Sequence, residues 1–248
     1  MEYSIVIPTY NEVARITVTL THVLSFMREF SKEFEILVVD DGSEDNTTSV
    51  VEMYSVTNPE IKLIKNPHKG KGPTITTGVL YASGDYIYLA DADMATDISE
   101  LKKLALWVRE QSFDIAIASR EGIGAQRVNE PLYRHLMGRA FNIYVQLIIL
   151  PGINDTQCGF KLFKREAAKK IFSKLKVYAE SSKVLQKPYL GAFDVEVLCI
   201  ARKYGYKIKE VSVKWTYVKT TRLRIFNSSI NMFKDVLKIK LNSLKGLY

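Results

Sequence analysis

Three short polar clusters in the first hundred residues carry side chains suited to binding a charged ligand. Pro8-Thr-Tyr-Asn-Glu12, Asp40-Asp-Gly-Ser43 and Asp91-Ala-Asp93 each lie at the end of an apolar run. Two carboxylates two residues apart suit a hard divalent cation, which takes oxygen ligands and neutralises a diphosphate. Lys69-Gly-Lys-Gly72 adds backbone N–H groups and a cation for phosphate. Each cluster alone is equally typical of a turn or a helix cap.

The elements that must position these clusters alternate between strand and helix patterns. Strands are predicted over 3–8, 34–40, 61–64, 85–90 and 114–119, and helices over 12–29, 45–55, 71–82 and 98–111. Short Val- and Ile-rich strands separated by helices predict a mostly parallel sheet covered on both faces. Ligands bind such sheets beyond the carboxyl ends of the strands, so the three clusters are expected to converge at one edge.

The second half of the chain is less regular and strongly basic. A loop is predicted over 121–130, and helices over 132–150 and 225–247, the last with an apolar stripe flanked by lysines. Residues 1–160 carry 14 Lys and Arg against 21 Asp and Glu, whereas residues 161–248 carry 21 against 6. Such a basic surface suits nucleic acid, anionic lipid or a phosphorylated substrate, although solvated lysines give the same excess.

Composition excludes several classes of protein. With 47% hydrophobic and 25% charged residues, the chain is neither disordered nor collagen-like. Two cysteines without CxxC spacing, and three histidines, argue against a disulfide framework or a zinc site. No run approaches the roughly 20 apolar residues of a membrane span, and no signal peptide opens the chain. We therefore expect a chain from a reducing compartment that is not integral to a membrane.

Taken together, the motifs resemble those of the family 2 glycosyltransferases. The first half contributes Ser4-Ile-Val-Ile-Pro-Thr-Tyr-Asn-Glu12, Val38-Val-Asp-Asp-Gly-Ser43, Gly70-Lys-Gly72 and Ala90-Asp-Ala-Asp93. The second half contributes Asp155-Thr-Gln-Cys-Gly-Phe-Lys-Leu-Phe163 and Ala192-Phe-Asp-Val-Glu196. The latter resemble the polyprenyl-phosphate sugar transferases, most closely the branch that glucosylates dolichyl phosphate. Met94-Ala-Thr96, after Asp93, is nearer the Gly-Ala-Thr of that branch than the Leu-Gln of the mannosyl branch. Gly191 departs from the glucosylating branch, which usually has Trp there.

The resemblance implies a single GT-A (Rossmann-like) α/β domain over 1–224, with a nucleotide-sugar-binding half (1–120) and an acceptor half (121–224). An amphipathic basic helix follows over 225–248. The implied enzyme is an inverting hexosyltransferase that uses Mg²⁺ or Mn²⁺ and moves glucose from UDP-glucose to a polyprenyl (dolichyl) phosphate. GDP-mannose as donor, or another family 2 acceptor, stays open, as does a non-catalytic module that binds anionic lipid or nucleic acid.

The resemblance also implies roles for individual residues. The nucleotide-sugar would contact Pro8, Tyr10, Glu12, Asp40, Lys71 and Asp91. The metal would be held by Asp91 and Asp93. The acceptor phosphate would contact Arg120, Arg134, Arg139, Lys161 and Arg222. Because a phosphate monoester is largely ionised at neutral pH, a general base is optional; Asp155 is the first candidate and Asp194 the second.

The acceptor's lipid tail lies in a bilayer, which implies contact with a membrane surface. Two amphipathic stretches, 132–150 and the C-terminal helix, suit an interfacial position, and basic residues favour an anionic leaflet. Packing of both stripes on the core is the alternative. We expect a cytoplasmic protein, peripheral at the cytoplasmic face of a membrane, with no nucleic-acid partner.

Overall fold

Apolar strands form the central layer of the molecule. The computed structural model describes residues 1–179, 191–219 and 225–248, the side chains of 225–229 excepted. The strands of these residues are β1 (Tyr3–Thr9), β2 (Phe34–Asp40), β3 (Ile61–Lys65), β4 (Tyr86–Leu89), β5 (Ile115–Ser119), β6 (Gln126–Val128), β7 (Lys161–Lys164), β8 (Ile208–Ser212) and β9 (Lys214–Thr216). The helices are α1 (Ile16–Phe30), α2 (Thr47–Thr57), α3 (Lys71–Tyr81), α4 (Leu101–Ala105), α5 (Leu132–Ile148), α6 (Arg165–Phe172), α7 (Phe193–Lys203) and α8 (Ile225–Leu244).

Seven strands form one sheet in the order β3-β2-β1-β4-β7-β5-β8. Neighbours run parallel except at β7, which is antiparallel to both β4 and β5. All seven residues of β2 are buried, because a strand covered by helices on both faces needs apolar side chains on both. The mostly parallel sheet confirms the predicted α/β class, and the direction of β7 is an addition to that prediction.

Helices cover both faces of the sheet with apolar side chains. In α1, Ile16, Leu20, Val23 and Met27 are buried at helical spacing. This helix begins at Ile16 rather than at residue 12 as predicted. On the other face, α3 comes so close to the sheet that a Cβ on Gly78 would lie 2.4 Å from a methyl group of Val6. The fold therefore requires glycine there.

Residues 121–248 add a second, two-stranded sheet and two partly exposed helices, α5 and α8. The segment 121–130, predicted as a loop, contains β6, which pairs in parallel with β9. Helix α8 packs on α5 through the ring of Phe233, 4.7 Å from that of Tyr144, and buries Val236 and Ile239 completely. Within the described part of the chain, no helix has the length and apolarity to cross a bilayer.

Candidate active site

A cavity of about 370 Å³ lies at the carboxyl ends of β1, β2 and β4. The parallel register of β1 with its two neighbours brings these strand ends side by side, as the sequence predicts. Eight of the predicted ligand-binding residues line the cavity: Pro8, Tyr10, Glu12, Lys71, Asp91, Asp93, Arg120 and Arg134.

One wall of the cavity, here called the acidic wall, consists of Lys71, Asp91 and Asp93. Lys71 Nζ lies 2.5 Å from Asp91 Oδ1, and Asp93 Oδ1 accepts a hydrogen bond of 3.1 Å from the backbone N–H of Ala95. Burial and the charge of Asp91 raise the pKa of Asp93. Burial disfavours the Lys71 ammonium, but Asp91 and Asp194 outweigh that effect and raise its pKa. Lys71 is therefore a fixed cation at neutral pH.

The acidic wall fits a divalent cation that is shared with a substrate. Across the described ranges, no group of three or more His, Cys, Asp and Glu residues forms a complete protein-only metal site. Mg²⁺ is commonly held by one or two carboxylates together with substrate phosphates. A bound cation would also relieve the repulsion that raises the pKa of Asp93. The donor set therefore suits a metal–diphosphate complex.

The second-half motif reaches the acidic wall through a glycine. A Cβ on Gly159 would lie 2.0 Å from Asp91 Oδ2, which no real Cβ tolerates. Only glycine lets the chain between Asp155 and Phe163 approach the carboxylate this closely. The two halves of the predicted motif set therefore meet at Asp91.

Beside the acidic wall, aromatic rings form a stack that sequence reasoning missed in part. The rings of Tyr10 and His68 lie 4.2 Å apart at 13°, and both residues line the cavity. His68 Nδ1 lies 2.8 Å from Asp41 Oδ2, and Asp41 also accepts a 2.9 Å hydrogen bond from the N–H of Gly70. The available signal was position: Asp41 belongs to the second polar cluster, and His68 directly precedes the Lys-Gly segment.

Asp40, predicted to contact the nucleotide, does not line the cavity. Its carboxylate accepts hydrogen bonds from the Ser43 N–H at 2.8 Å, the Ser43 hydroxyl at 2.5 Å and the Thr9 hydroxyl at 3.2 Å. These bonds fold the loop after β2 and leave the carboxylate 2% exposed. Its neighbour Asp41 is the carboxylate of this cluster that reaches the cavity wall.

A second wall, here called the arginine wall, carries Arg120 and Arg134. The guanidinium of Arg120 lies 5.2 Å from the ring centre of Trp215, and that of Arg134 lies 5.1 Å from the ring centre of Tyr217. Trp215 lines the cavity and was not predicted. Cation–π contacts of this kind hold a guanidinium in place without using its N–H donors.

Asp155, the first candidate for a general base, is the partner of Arg120. Arg120 Nε donates to Oδ2 at 2.8 Å and Nη2 donates to Oδ1 at 2.9 Å, and the carboxylate is fully buried. Burial opposes ionisation, but the Arg120 charge outweighs it and lowers the pKa of Asp155 to about 2. Glu210 accepts the Asp155 N–H at 2.9 Å and so fixes its backbone. A buried carboxylate with this pKa does not suit proton abstraction near pH 7.

Two further predicted residues, Lys161 and Asp194, pair with each other. Lys161 is 1% exposed; its Nζ lies 2.5 Å from Asp194 Oδ1 and also donates to the Cys158 carbonyl. Neither residue lines the cavity. This buried pair corrects the expectation that Lys161 meets the acceptor phosphate directly, because its ammonium is covered by protein.

The remaining predicted cations lie apart from the cavity lining or outside the described residues. Arg139 forms an ion pair with Glu121, 3.4 Å between Nη1 and Oε2, and does not line the cavity. Arg222 lies outside the described residues. Among the described residues, the lysine and arginine side chains that line the cavity are those of Arg15, Lys71, Arg120 and Arg134.

Chemically, this arrangement suits two anionic ligands in one cavity. The charges of the acidic wall suit a metal-bound diphosphate, and those of the arginine wall suit a second anion such as a phosphate monoester. Cys158 also lines the cavity, and burial raises the pKa of its thiol. A thiol with a raised pKa is poorly suited to act as a nucleophile. Transfer of a group directly between two bound anionic substrates fits better than covalent catalysis.

Similarity to known proteins extends over nearly the whole chain. Residues 4–172 match the model of the family described as Glycosyl transferase family 2. A dolichyl-phosphate beta-glucosyltransferase of Homo sapiens is 36% identical over 263 residues, which cover 100% of this chain and 77% of that protein. The enzyme of the same name from Dictyostelium discoideum is 34% identical over 258 residues, covering 99% of this chain and 76% of that protein.

A solved structure is similar in fold. It is a glucosyl-3-phosphoglycerate synthase from Mycobacterium tuberculosis in complex with Mn²⁺, UDP and glucosyl-3-phosphoglycerate. The TM-score is 0.63 at 17% sequence identity, with 98% of this chain and 79% of that chain covered. At this identity the likeness concerns the fold alone, and it agrees with the GT-A architecture that the motifs predict.

Proposed function

The chain belongs to glycosyltransferase family 2, as its motifs predict, and from this premise we propose that it transfers glucose from UDP-glucose to dolichyl phosphate or a related polyprenyl phosphate. The products are the lipid-phosphate glucose and UDP, with inversion at the anomeric carbon. The observation that carries the proposal is the presence of the acidic wall and the arginine wall in one cavity. The similarity of nearly the whole chain to enzymes named dolichyl-phosphate beta-glucosyltransferase supports this choice of sugar and acceptor.

The nucleoside of the sugar donor is assigned to the part of the cavity that the loop after β1 lines. The nucleoside lies against Pro8, Tyr10 and Glu12, with His68 and Asp41 supporting the Tyr10 ring. Stacking of a flat base on Tyr10 suits a uracil, because aromatic pairs favour offset parallel rings. In this assignment Asp40 supports the pocket through its loop.

The diphosphate of the donor is assigned to the acidic wall. Lys71 contributes a fixed positive charge beside Asp91, and Asp91 and Asp93 would hold a divalent cation, Mg²⁺ or Mn²⁺. When bound, such a cation neutralises the charge that develops on the departing UDP. Lys71 adds to that neutralisation from the protein side.

The acceptor phosphate is assigned to the arginine wall. A guanidinium has five N–H donors, and the side-chain bonds to Asp155 use two of those on Arg120. The others, together with Arg134, bind and orient the phosphate. Its attacking oxygen displaces UDP from the opposite face of the sugar, which inverts the anomeric centre. Because the monoester is largely ionised at neutral pH, positioning rather than deprotonation is the main task of the protein.

Asp155 and Asp194 therefore take positioning roles in this proposal. Asp155 holds Arg120 in its conformation through two side-chain hydrogen bonds. Asp194, 13% exposed, neutralises the buried Lys161 and helps keep Lys71 charged. The reaction then proceeds without a general base from either residue.

The membrane that contains the acceptor is assigned to the surface of α5 and α8. These helices leave large apolar side chains in solvent, among them Leu136 and Leu147 on α5 and Leu241 and Leu244 on α8. Lysines flank the α8 stripe, at 234, 238, 240 and 245. Apolar insertion combined with attraction to anionic headgroups gives peripheral binding at the cytoplasmic face, which salt weakens. In this proposal, residues 225–248 contact the membrane and hold the domain formed by 1–224 at its surface.

A donor screen tests the proposal. Purified protein is mixed with Mg²⁺ or Mn²⁺ and a short polyprenyl phosphate in detergent, and release of nucleoside diphosphate is measured for UDP-glucose, GDP-mannose and UDP-N-acetylglucosamine. We expect release from UDP-glucose that depends on both lipid and metal. Release from GDP-mannose alone would keep the fold and overturn the sugar. Absence of lipid-dependent release from all three would overturn the acceptor assignment.

A further inference from the structure

The loop that follows Arg120 presents an unusual tip. Ile123 is fully exposed and sits between Gly122 and Gly124, whose φ angles are +92° and +86°. Both glycines adopt the left-handed region that other residues avoid, so the tip is a sharp turn. It is closed by a 3.2 Å hydrogen bond from the N–H of Ala125 to the carbonyl of Gly122. A single exposed isoleucine carries no meaning by itself, so its surroundings decide.

The base of this turn is firmly held. Arg127 forms ion pairs with Glu121 at 2.6 Å and with Glu130 at 2.5 Å, and its Nε donates to the Arg120 carbonyl at 3.1 Å. β6 then pairs with β9 immediately after the turn. The backbone on both sides of Ile123 is therefore held in place. Less conformational entropy is lost when such a side chain binds a partner.

The turn also adjoins the exposed apolar start of α5. Arg139 of α5 lies 3.4 Å from Glu121 at the base of the turn. The first turns of the same helix expose Leu132 and Leu136. Exposed apolar side chains therefore stand both on the tip and on the helix that contacts its base through the Arg139–Glu121 pair.

Distance along the chain fits an acceptor whose phosphate lies at a membrane surface. Two residues lie between Arg120 and Ile123, so their Cα atoms are at most about 11 Å apart. Interfacial segments reach roughly 5–10 Å into the headgroup and acyl boundary. An apolar tip within this distance of Arg120 has the reach to enter the boundary with the arginine at the level of a lipid phosphate.

We propose that Ile123 inserts into the bilayer that holds the acceptor and docks the arginine wall at headgroup depth. This inference rests on the proposed function, because a membrane-held acceptor is its premise. The occupant is lipid rather than a protein, since the tip closely follows Arg120 in the chain and Arg120 is assigned to the phosphate of a lipid.

Binding to protein-free vesicles of phosphatidylcholine and phosphatidylserine tests the inference. We expect Ile123→Asp to weaken sedimentation with vesicles about tenfold, since it removes the apolar side chain that inserts into the bilayer and adds a charge that anionic lipid repels. Ile123→Leu should bind like the unchanged protein. The matched control is Val56→Asp: Val56 is 84% exposed on α2, beside the opposite edge of the sheet. Thermal unfolding checks that each variant is folded.

The outcomes separate this inference from the proposed function. Equal vesicle binding by Ile123→Asp and the unchanged protein would overturn the role of the tip, as would an equal loss in Val56→Asp. Failure of the unchanged protein to bind protein-free vesicles would overturn lipid as the occupant. The donor screen in detergent tests transfer separately, so activity there with normal vesicle binding by Ile123→Asp would sink the inference alone.

Discussion

The acidic wall and the arginine wall are positioned by different means. Asp91 and Asp93 follow a buried strand, so sheet register places them, and the side chain of Asp93 is steadied by the N–H of Ala95. Arg120 also follows a strand, but its guanidinium depends on Asp155, which is 35 residues away in the chain. One wall is therefore set by backbone and the other by a buried ion pair. Substitutions in the acidic wall should therefore remove a group that the reaction needs. Substitutions around the arginine wall should instead change the position of a guanidinium.

The sharpest test of the acidic wall is Asp93→Asn. Loss of a carboxylate from the proposed cation site should reduce transfer by about 10³-fold, because charge on the departing diphosphate is then poorly neutralised. Stability should change little, since removing this charge also relieves repulsion with Asp91. The measurement is the initial rate of UDP release over a metal titration. Asp97→Asn, at an exposed carboxylate paired with His22, is the matched control and should keep full activity.

Retention of more than about a tenth of the activity by Asp93→Asn would contradict the assignment of this wall, since a metal ligand contributes several kcal/mol to the transition state. A large loss of stability would contradict it differently. It would mean that Asp93, like Asp155, is held by interactions that the fold needs.

The arginine wall is tested by Asp155→Asn. Removing one partner of a buried ion pair should destabilise the protein by about 3 kcal/mol. The loosened Arg120 should raise the acceptor KM strongly and leave the donor KM near its original value. Asp114→Asn, which removes a surface partner of Lys164, is the control and should cost less than about 1 kcal/mol. A fall in kcat with unchanged acceptor KM, together with a shifted pH profile, would instead indicate a general base.

A third test compares the buried carboxylate of Asp155 with that of Glu35, in the first half of the chain. Glu35 on β2 accepts hydrogen bonds from the hydroxyls of Ser4 and Ser83, at 2.6 and 2.7 Å, and pairs with Lys62. Burial raises its pKa, but the bonds from Lys62, Ser4 and Ser83 outweigh burial and lower it to about 2, against 4.5 for an ordinary Glu. The stability this group contributes is therefore complete above pH 4.5 and is lost as the pH falls toward 2.

Glu35→Gln should remove this part of the acid sensitivity. We expect the variant to be less stable at pH 7 by about 2 kcal/mol, and to lose less stability than the unchanged protein between pH 4.5 and pH 2. Transfer at pH 7 should persist, because Glu35 lies away from the cavity lining. Urea unfolding at several pH values measures the difference. Parallel curves for the two proteins would show that Glu35 is not the group responsible.

The same contrast explains how far the sequence predicts the molecule. The β1 to β4 half follows from local patterns: apolar runs predict strands, and polar clusters at their ends predict the acidic wall. Side-chain pairing between distant residues is not encoded in any period. Lys161 and Asp194 are 33 residues apart, and no sequence pattern links them. Each was predicted as an active-site group, whereas the fold pairs them in the interior.

Misassignment within the second polar cluster has a related cause. Asp40 and Asp41 are identical in type and adjacent, so residue type does not distinguish the carboxylate that folds the loop from the one at the cavity. The difference arises from their hydrogen-bond donors. Ser43 and Thr9 donate to the carboxylate of Asp40, whereas the N–H of Gly70 donates to that of Asp41. The antiparallel direction of β7 was equally out of reach, because its short apolar run has no directional signal.

The smallest expected effect concerns the second guanidinium of the arginine wall. Arg134 lies 5.1 Å from the ring centre of Tyr217, a contact that is worth about 0.5–1 kcal/mol at a partly exposed site. Tyr217→Leu should therefore raise the acceptor KM by about two- to fivefold, leave the donor KM unchanged and shift stability little. Tyr217→Phe keeps the ring and should behave like the unchanged protein. If both substitutions raise the acceptor KM equally, the hydroxyl rather than the ring face positions Arg134; if neither does, Arg134 is held by its helix alone, and backbone contributes to both walls.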